Sequence, residues 1–260
     1  SRFSQVVEEV TTKLDKYEFS QAGELLRDFT WNEFADWYLE IAKIQRKDKT
    51  LIQDTDKILL YILENLLVLW HPFMPFVTEE IWKMFGSDEF IMMHQWPRAR
   101  NDYDREAEKQ FVLLQDIVSA IRNLRAEYRV EPGQKIPVYL VSKKDQEFLE
   151  SQVEIIRTLA RVSPIKIESD LAKPDGAVSS VAGSVQIYLP LADIIDVDKE
   201  KVRLHKELEG AEQYLASLEK RLANNDFIAK APEKMVNDLK QKKSETEEKV
   251  NRIKKQLANL

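Results

Sequence analysis

The stretch that decides the fold is Trp70–Trp82, which reads WHPFMPFVTEEIW. Its two prolines, Pro72 and Pro75, follow a long apolar run. Proline fixes φ and has no N–H to donate, so it ends a helix and stiffens the chain that follows. The stretch therefore predicts a helix, a short rigid corner and a second helix. We expect the Thr78 hydroxyl to cap that second helix, with Glu79 near the positive end of the helix dipole.

Helical spacing of apolar residues extends on both sides of this corner. The predicted helices cover residues 6–14, 21–43, 50–70, 78–85 and 104–129. The helix before the corner is apolar on most faces, which predicts a central position. After the corner, Phe90–Pro97 predicts an extended strap anchored by Trp96. Residues 1–130 are thus predicted to form an antiparallel helical bundle.

Two motifs in this bundle carry a resemblance to a known family. The string HPFMPFVTEEIW closely resembles the signature of the anticodon-binding bundle in class I aminoacyl-tRNA synthetases of the valyl, isoleucyl and leucyl group. A second pattern of that family, W-x-E-F-x-D-W-Y, is matched by Trp31, Glu33, Phe34, Asp36, Trp37 and Tyr38. This helix has more aromatic surface than one core stripe requires. We expect core packing for most of it, with contact to a partner as the alternative.

A basic cluster ends the second predicted helix. Its candidate residues are Lys43, Gln45, Arg46 and Lys47. Cations at a helix C-terminus suit the helix dipole, which explains them without any ligand. They could equally bind a phosphate and offer donors to an unstacked RNA base. Both interpretations stay open, but the resemblance implies that the anticodon loop lies at this end, so we assign the four residues to anticodon binding.

Beyond Gly133 the apolar period changes from helical to alternating. The predicted elements are a strand at 136–141, a helix at 146–162, a strand at 165–167 and a hairpin at 178–189. Residues 131–196 are thus predicted to form a small α/β connector. It contains neither a G-x-G-x-x-G nor a Walker pattern, so no phosphate-binding loop is predicted. Just before it, Arg125 is expected to pair with a nearby carboxylate.

The last segment, residues 197–260, is the most regular. Apolar residues alternate spacings of four and three from Leu204 to Leu222, and the same spacing recurs from Val236 to Leu260, interrupted only at Lys243 and Thr246. Two such seams separated by a turn predict an antiparallel two-helix coiled coil. The fold class is therefore mainly α: a helical bundle, a small α/β connector and a coiled coil.

The turn of this coiled coil narrows the resemblance. The segment 224–232 contains the string FIAKAP, which resembles the Phe-x-x-Lys-Ala-Pro turn of the C-terminal arm in the valyl branch of the family. Isoleucyl members are expected to end in a cysteine-bearing zinc module, and this chain has no cysteine. The resemblance therefore points to the valyl branch over essentially the whole length.

The formal net charge is −6, but its distribution is uneven. Residues 197–260 hold 15 Lys and Arg against 12 Asp and Glu, a charge of +3, which leaves −9 for the rest. Lysines spaced along an arm suit phosphate recognition, although most charged stretches are solvated helix faces. By charge and position, the candidate tRNA contacts of the arm are Arg203, Lys206, Lys220, Arg221, Lys240, Lys242 and Lys243.

No catalytic residue is assigned to this chain. It has neither a His-Ile-Gly-His nor a Lys-Met-Ser-Lys-Ser type of motif, and no nucleophile or acid–base pair replaces them. Three scattered histidines and no cysteine predict no metal site. The start without Met suggests a piece of a longer chain, and the resemblance implies ATP and Mg²⁺ for the full-length enzyme only.

The resemblance implies the tRNA-recognition part of a valine–tRNA ligase. The bundle would bind the anticodon stem-loop of tRNA(Val), and the arm would lie along the outer corner of the tRNA. We expect a cytoplasmic monomer, and no apolar run is long enough to predict a membrane span. The alternative is a coiled-coil scaffold or protein-interaction module that binds no RNA.

Overall fold

The structure is a computed structural model that describes residues 1–86, 89–100, 103–190, 197–224 and 232–259. It is mainly helical with one small sheet, which confirms the predicted fold class. Contacts between Cα atoms divide the chain into two compact units. The first contains residues 1–115 and 151–159, and the second contains 116–150 and 160–260. The predicted three-domain division at residues 130 and 196 stays a prediction.

Helices form most of the first unit. They are α1 (Arg2–Asp15), α2 (Phe19–Asp28), a π-helical segment (Phe29–Leu39), α3 (Glu40–Gln45), α4 (Ile52–Trp70), α5 (Pro75–Lys83), a 3₁₀ turn (Ile91–Met93), the first part of α6 (Arg105–Glu127) and α8 (Val153–Leu159). The second predicted helix thus consists of three parts, because the aromatic segment has the wider π geometry, which is rare in proteins.

The core of the bundle joins α1, α2, the π-helical segment and α4. Its buried members are Phe3, Val6, Val7, Val10, Ala22, Leu26, Phe29, Phe34, Leu66 and Leu69. The Trp70 indole Nε1 donates to Thr30 Oγ1 at 3.0 Å. Most of the aromatic surface is therefore core, as expected, but Trp31 is 67% exposed. In α4 the buried residues are Thr55 and Leu66–Leu69, whereas Ile58 is exposed.

The corner after α4 starts its second helix earlier than predicted. Pro75 occupies the first helical position, which needs no N–H donor, and Met74 precedes it as the N-cap residue. The expectation that Thr78 caps this helix is wrong. Thr78 lies one turn inside and is 2% exposed. Its hydroxyl donates to the Met74 carbonyl oxygen at 2.9 Å and lies 2.7 Å from His71 Nδ1.

The strap after α5 is fixed at two places. Ile91 is buried in a small cluster with Leu67, Val68 and Trp82, and its backbone N–H donates to Glu79 Oε2 at 3.1 Å. The Trp96 indole donates to Thr11 Oγ1 at 2.9 Å. Trp96 therefore anchors the strap to α1, as its sequence position predicted.

A four-stranded sheet lies in the second unit. Its strands are β1 (Ile136–Val141), β2 (Val162–Glu168), β3 (Ala177–Ala182) and β4 (Val185–Pro190), in the order β2-β1-β4-β3. Strand β1 is parallel to β2 and antiparallel to β4, and β3 and β4 form a hairpin. Gly183 has φ 55° in the two-residue turn, a conformation that glycine adopts readily. The helix predicted at 146–162 is instead α7 (Gln146–Ser151) and α8, which ends before the left-handed Arg161 (φ 54°).

The buried guanidinium of Arg125 ties the end of α6 to its surroundings. It is 7% exposed and donates to the backbone carbonyls of Arg161 at 3.1 Å and Glu131 at 3.0 Å. The expected pairing of Arg125 with a carboxylate is therefore wrong, because carbonyl oxygens of the two adjoining turns are its acceptors. Burial, and next the positive charge of Arg161, lower the pKa of Arg125.

Two long helices form the arm at the end of the second unit. They are α9 (Val197–Leu222) and α10 (Glu233–Asn259). Leu204, Ala211, Val250 and Ile253 form their buried seam. The turn string FIAKAP lies almost entirely in residues 225–231, outside the described residues. None of the helices in the described part of the chain combines the length and the apolar character that a membrane crossing requires.

Candidate nucleic-acid interface

The predicted anticodon-binding residues surround the turn between α3 and α4. Lys43 lies in the last turn of α3, is 68% exposed and forms an ion pair with Glu40. Arg46 directly follows the helix, is 57% exposed, and its Nε lies 2.9 Å from Asp56 Oδ1. Both cations are therefore oriented by carboxylates while most of each side chain stays accessible.

Gln45 and Lys47 complete this end of the bundle. The Gln45 side-chain oxygen accepts a long hydrogen bond of 3.5 Å from the buried Thr55 hydroxyl, which leaves its amide NH₂ available as a donor. Lys47 is exposed and forms no ion pair with any residue that the structure describes. The Thr50 hydroxyl and backbone N–H both donate hydrogen bonds to the Asp48 carboxylate. These bonds lower the pKa of Asp48, and the bond from the hydroxyl is the larger cause.

The charges at this turn nearly cancel, because Glu40, Asp48 and Asp56 stand beside the four cations Lys43, Arg46, Lys47 and Lys49, which leaves a formal charge of +1. A strong long-range field is therefore absent from this group of described residues. What the turn offers instead is a set of positioned hydrogen-bond donors on a rigid helix end. Such a set suits recognition of individual groups at contact distance better than electrostatic steering.

The seven predicted arm cations differ in how they are held. Lys206, Lys220, Arg221, Lys240 and Lys242 are exposed on the two arm helices. Arg203 and Lys243 are partly buried. Lys243 lies 3.3 Å from Glu219 of the other arm helix and 3.4 Å from Glu247, and the hydrogen bond that it donates to Glu219 is the main cause of its raised pKa. Lys243 therefore stabilises the coiled coil as well as adding charge.

A cleft lies at the base of the arm, between the end of α6 and the two arm helices, and has a volume of about 480 Å³. We call it the arm-base cleft; its lining residues are Asn123, Ala126, Glu127, Arg129, Arg203, Glu207, Lys249, Arg252, Ile253 and Gln256. Four of these are cations and two are carboxylates. The cleft thus carries a formal charge of +2 in a chain whose total is −6.

One carboxylate orders two of those cations. Glu207 Oε2 lies 2.7 Å from Arg203 Nη1, and Glu207 Oε1 lies 3.1 Å from Lys249 Nζ. Hydrogen bonding from Lys249, followed by that from Arg203, lowers the pKa of Glu207 despite partial burial. Glu207 therefore stays ionised at neutral pH and holds both cations at the wall of the cleft.

Sequence reasoning found Arg203 but missed the other cations of the arm-base cleft. Lys249, Arg252 and Gln256 share one face of α10 at spacings of three and four, a signal that was readable in the sequence. Arg129 gave no such signal, because only the tertiary structure brings the end of α6 to the arm.

Comparison with known proteins gives two family matches. Residues 1–140 match the anticodon-binding domain of tRNA ligase, and residues 196–260 match the valyl tRNA synthetase tRNA binding arm. The chain belongs to the anticodon-binding domain family of tRNA ligases. The second match assigns it to the valyl-tRNA synthetase branch, as the sequence motifs predicted.

Similar proteins support this branch. The chain is 40% identical over 247 residues to a valine--tRNA ligase of Carboxydothermus hydrogenoformans, covering 93% of this chain and 28% of that protein. It is 36% identical to one of Bacillus cereus and 34% identical to one of Thermotoga maritima, each covering all of this chain and 30% of the relative. The chain thus spans less than a third of these valyl-tRNA synthetase relatives.

Proposed function

We propose that this chain is the tRNA-recognition part of a valine–tRNA ligase. In this proposal the bundle binds the anticodon stem-loop of tRNA(Val), and the coiled-coil arm binds the outer corner where the two tRNA loops meet. The observation that carries it is the presence, in one chain, of both family matches, one over the bundle and one over the arm.

The geometry supports these separate roles for the bundle and the arm. The turn after α3 offers positioned donors with little net charge, which suits the reading of unstacked loop bases through Lys43, Gln45, Arg46 and Lys47. The arm has exposed lysines on both helices, which suits phosphate contacts that are independent of sequence. Its apolar seam is satisfied within the chain, which argues against a scaffold that recruits an external helix.

The proposal also concerns the setting of this chain. The partner is tRNA(Val), and the chain acts as a monomer in the cytoplasm. The ATP and Mg²⁺ that valylation requires belong to a catalytic part of the ligase that lies outside these residues. The chain alone is therefore expected to bind tRNA without forming an aminoacyl-adenylate.

A titration tests the proposal. The chain is titrated with tRNA(Val) and with the same tRNA carrying a changed middle anticodon base, each at two salt concentrations. We expect binding that weakens with the base change and with salt. Binding that ignores the base would contradict the anticodon assignment, and absence of binding would favour the scaffold alternative.

A triple variant tests the three cations among the four bundle residues. Changing Lys43, Arg46 and Lys47 to Gln should lower affinity by roughly tenfold or more, since each lost contact to a nucleic acid is worth about 1–3 kcal/mol. The matched control changes Arg27, Lys83 and Lys16 to Gln. Like the test set, it removes two ion-paired cations and one without an ion pair to a described residue. Equal losses in both variants would remove the bundle residues from the interface.

A further inference from the structure

We infer that the arm-base cleft is a binding site for the phosphodiester backbone of the tRNA, distinct from the turn after α3 and from the outer surface of the arm. The inference rests on the proposed function and extends it to a third contact region. Its ligand class is the sugar–phosphate backbone, bound without regard to base sequence.

Charge is the first argument. Arg129 and Arg252 are exposed at the cleft and form no ion pair with any residue that the structure describes. Arg203 and Lys249 both contact the carboxylate of Glu207, and Glu127 adds the second negative charge. An excess of positive charge concentrated in a concave surface attracts a polyanion more strongly than the same charge spread over a helix face.

The chemistry of the lining is the second argument. Arginine presents a planar set of donors that matches the oxygens of a phosphate, and three of the four cations are arginines. The Asn123 and Gln256 amides add neutral donors and acceptors that can bind ribose hydroxyls or phosphate oxygens. The described residues that line the cleft include no aromatic side chain on which a base could stack. This combination favours the backbone over the bases.

The backbone at Arg129 is the third argument. Arg129 has φ 51°, in the left-handed region, directly after α6. The Val130 N–H donates to the Arg125 carbonyl at 2.8 Å, and the Arg129 N–H donates to the Ala126 carbonyl at 3.2 Å, which is the Schellman arrangement. Glycine is the usual residue at this position, and an L-residue there is strained. A strained arginine that faces the cleft is consistent with a binding role.

The test uses a double variant, Arg129→Gly with Arg252→Gln. Glycine suits the left-handed conformation at position 129, so the variant removes the charge without breaking the turn. The control changes two exposed lysines of the same unit outside the cleft, Lys135→Gln with Lys143→Gln, neither of which has an ion pair to a described residue. Thermal unfolding of both variants verifies that they fold.

The readout is the salt dependence of binding to tRNA(Val). Raising the salt from about 50 to about 200 mM weakens the binding of tRNA by a factor that depends on the number of phosphate contacts. Loss of two contacts should make this factor roughly ninefold smaller in the double variant than in the unmodified chain. The ratio of affinities for the normal and the altered anticodon should stay unchanged, because the cleft reads no base.

Each outcome decides between the two proposals. An unchanged salt slope in the double variant, with anticodon discrimination intact, overturns the cleft inference and leaves the proposed function standing. An equal change of slope in the lysine control also overturns it, because the effect would then be one of net charge. If the unmodified chain binds no tRNA at all, both the proposed function and the cleft inference fall.

Discussion

Replacement of Thr78 by Val tests how the corner between α4 and α5 is held. Valine has nearly the same shape and branching as threonine, so packing around the 2%-exposed side chain is kept while the hydroxyl is lost. Three hydrogen-bond contacts of the hydroxyl disappear: those to the Met74 carbonyl at 2.9 Å, to the Pro75 carbonyl at 3.2 Å and with His71 Nδ1 at 2.7 Å. The Met74 carbonyl still accepts the backbone N–H of residue 78 at 3.1 Å, so the main cost is the unpaired His71 nitrogen.

The expected destabilisation of Thr78→Val is therefore about 1–2 kcal/mol, from the net value of an intramolecular hydrogen bond and the penalty for a half-buried unpaired group. For a chain of this size that corresponds to a fall in Tm of roughly 2–8 °C. Thermal unfolding followed by far-UV circular dichroism measures it.

A matched control is Thr12→Val, which makes the same chemical change at an exposed position of α1 where the hydroxyl has no partner among the described residues. Its Tm should stay close to that of the unmodified chain. A double-mutant cycle of Thr78→Val with His71→Leu should give a coupling of about 1 kcal/mol. Equal Tm values for the two threonine variants, or an absence of coupling, would refute this account of the corner.

Two further predictions concern the second unit. Arg125→Met should lower the free energy of unfolding by about 2 kcal/mol, because it removes two hydrogen bonds from a charged donor, although the Glu131 carbonyl keeps the Gln134 N–H as a donor. Urea unfolding measures this loss, and an unchanged midpoint would contradict it. Glu207→Gln should lower Tm at neutral pH, because the folded state lowers the pKa of Glu207 and is therefore stabilised by the ionised carboxylate. This stabilisation is fully present above the ordinary glutamate pKa near 4.5. It is lost as the pH falls through the pKa of Glu207 in the folded state. Tm measured against pH should therefore show two curves that converge in acid, and a gap that persists below that range would contradict the assignment.

Local pattern was sufficient for most of the secondary structure. The apolar spacing around the corner located α1, α4 and α6, and the change of period after Gly133 located the sheet. Both are short-range signals. The core-facing side of a helix shows apolar residues three or four positions apart, and that of a strand shows them two positions apart. The strings around Trp31 and Trp70 also identify the family from sequence alone.

The predictions for Thr78 and Arg125 are wrong, each for its own physical reason. Thr78 was assigned to a cap because its hydroxyl precedes apolar residues, but Pro75 could start the helix one turn earlier. Arg125 was assigned a carboxylate because sequence neighbours are visible, whereas its acceptors are backbone carbonyls, one of them far along the chain. Backbone carbonyls carry no side-chain signal, so no sequence pattern could have named them.

The sequence by itself determined the fold class, the coiled-coil arm and the family, because each depends on residue type and on spacing within one element. Only the tertiary structure decided which cations act together. Glu207 holds Arg203 from its own helix and Lys249 from the other, and the end of α6 adds Arg129 to the same cleft. Charge acts through distance in space, and that distance is set by how helices pack rather than by their separation along the chain.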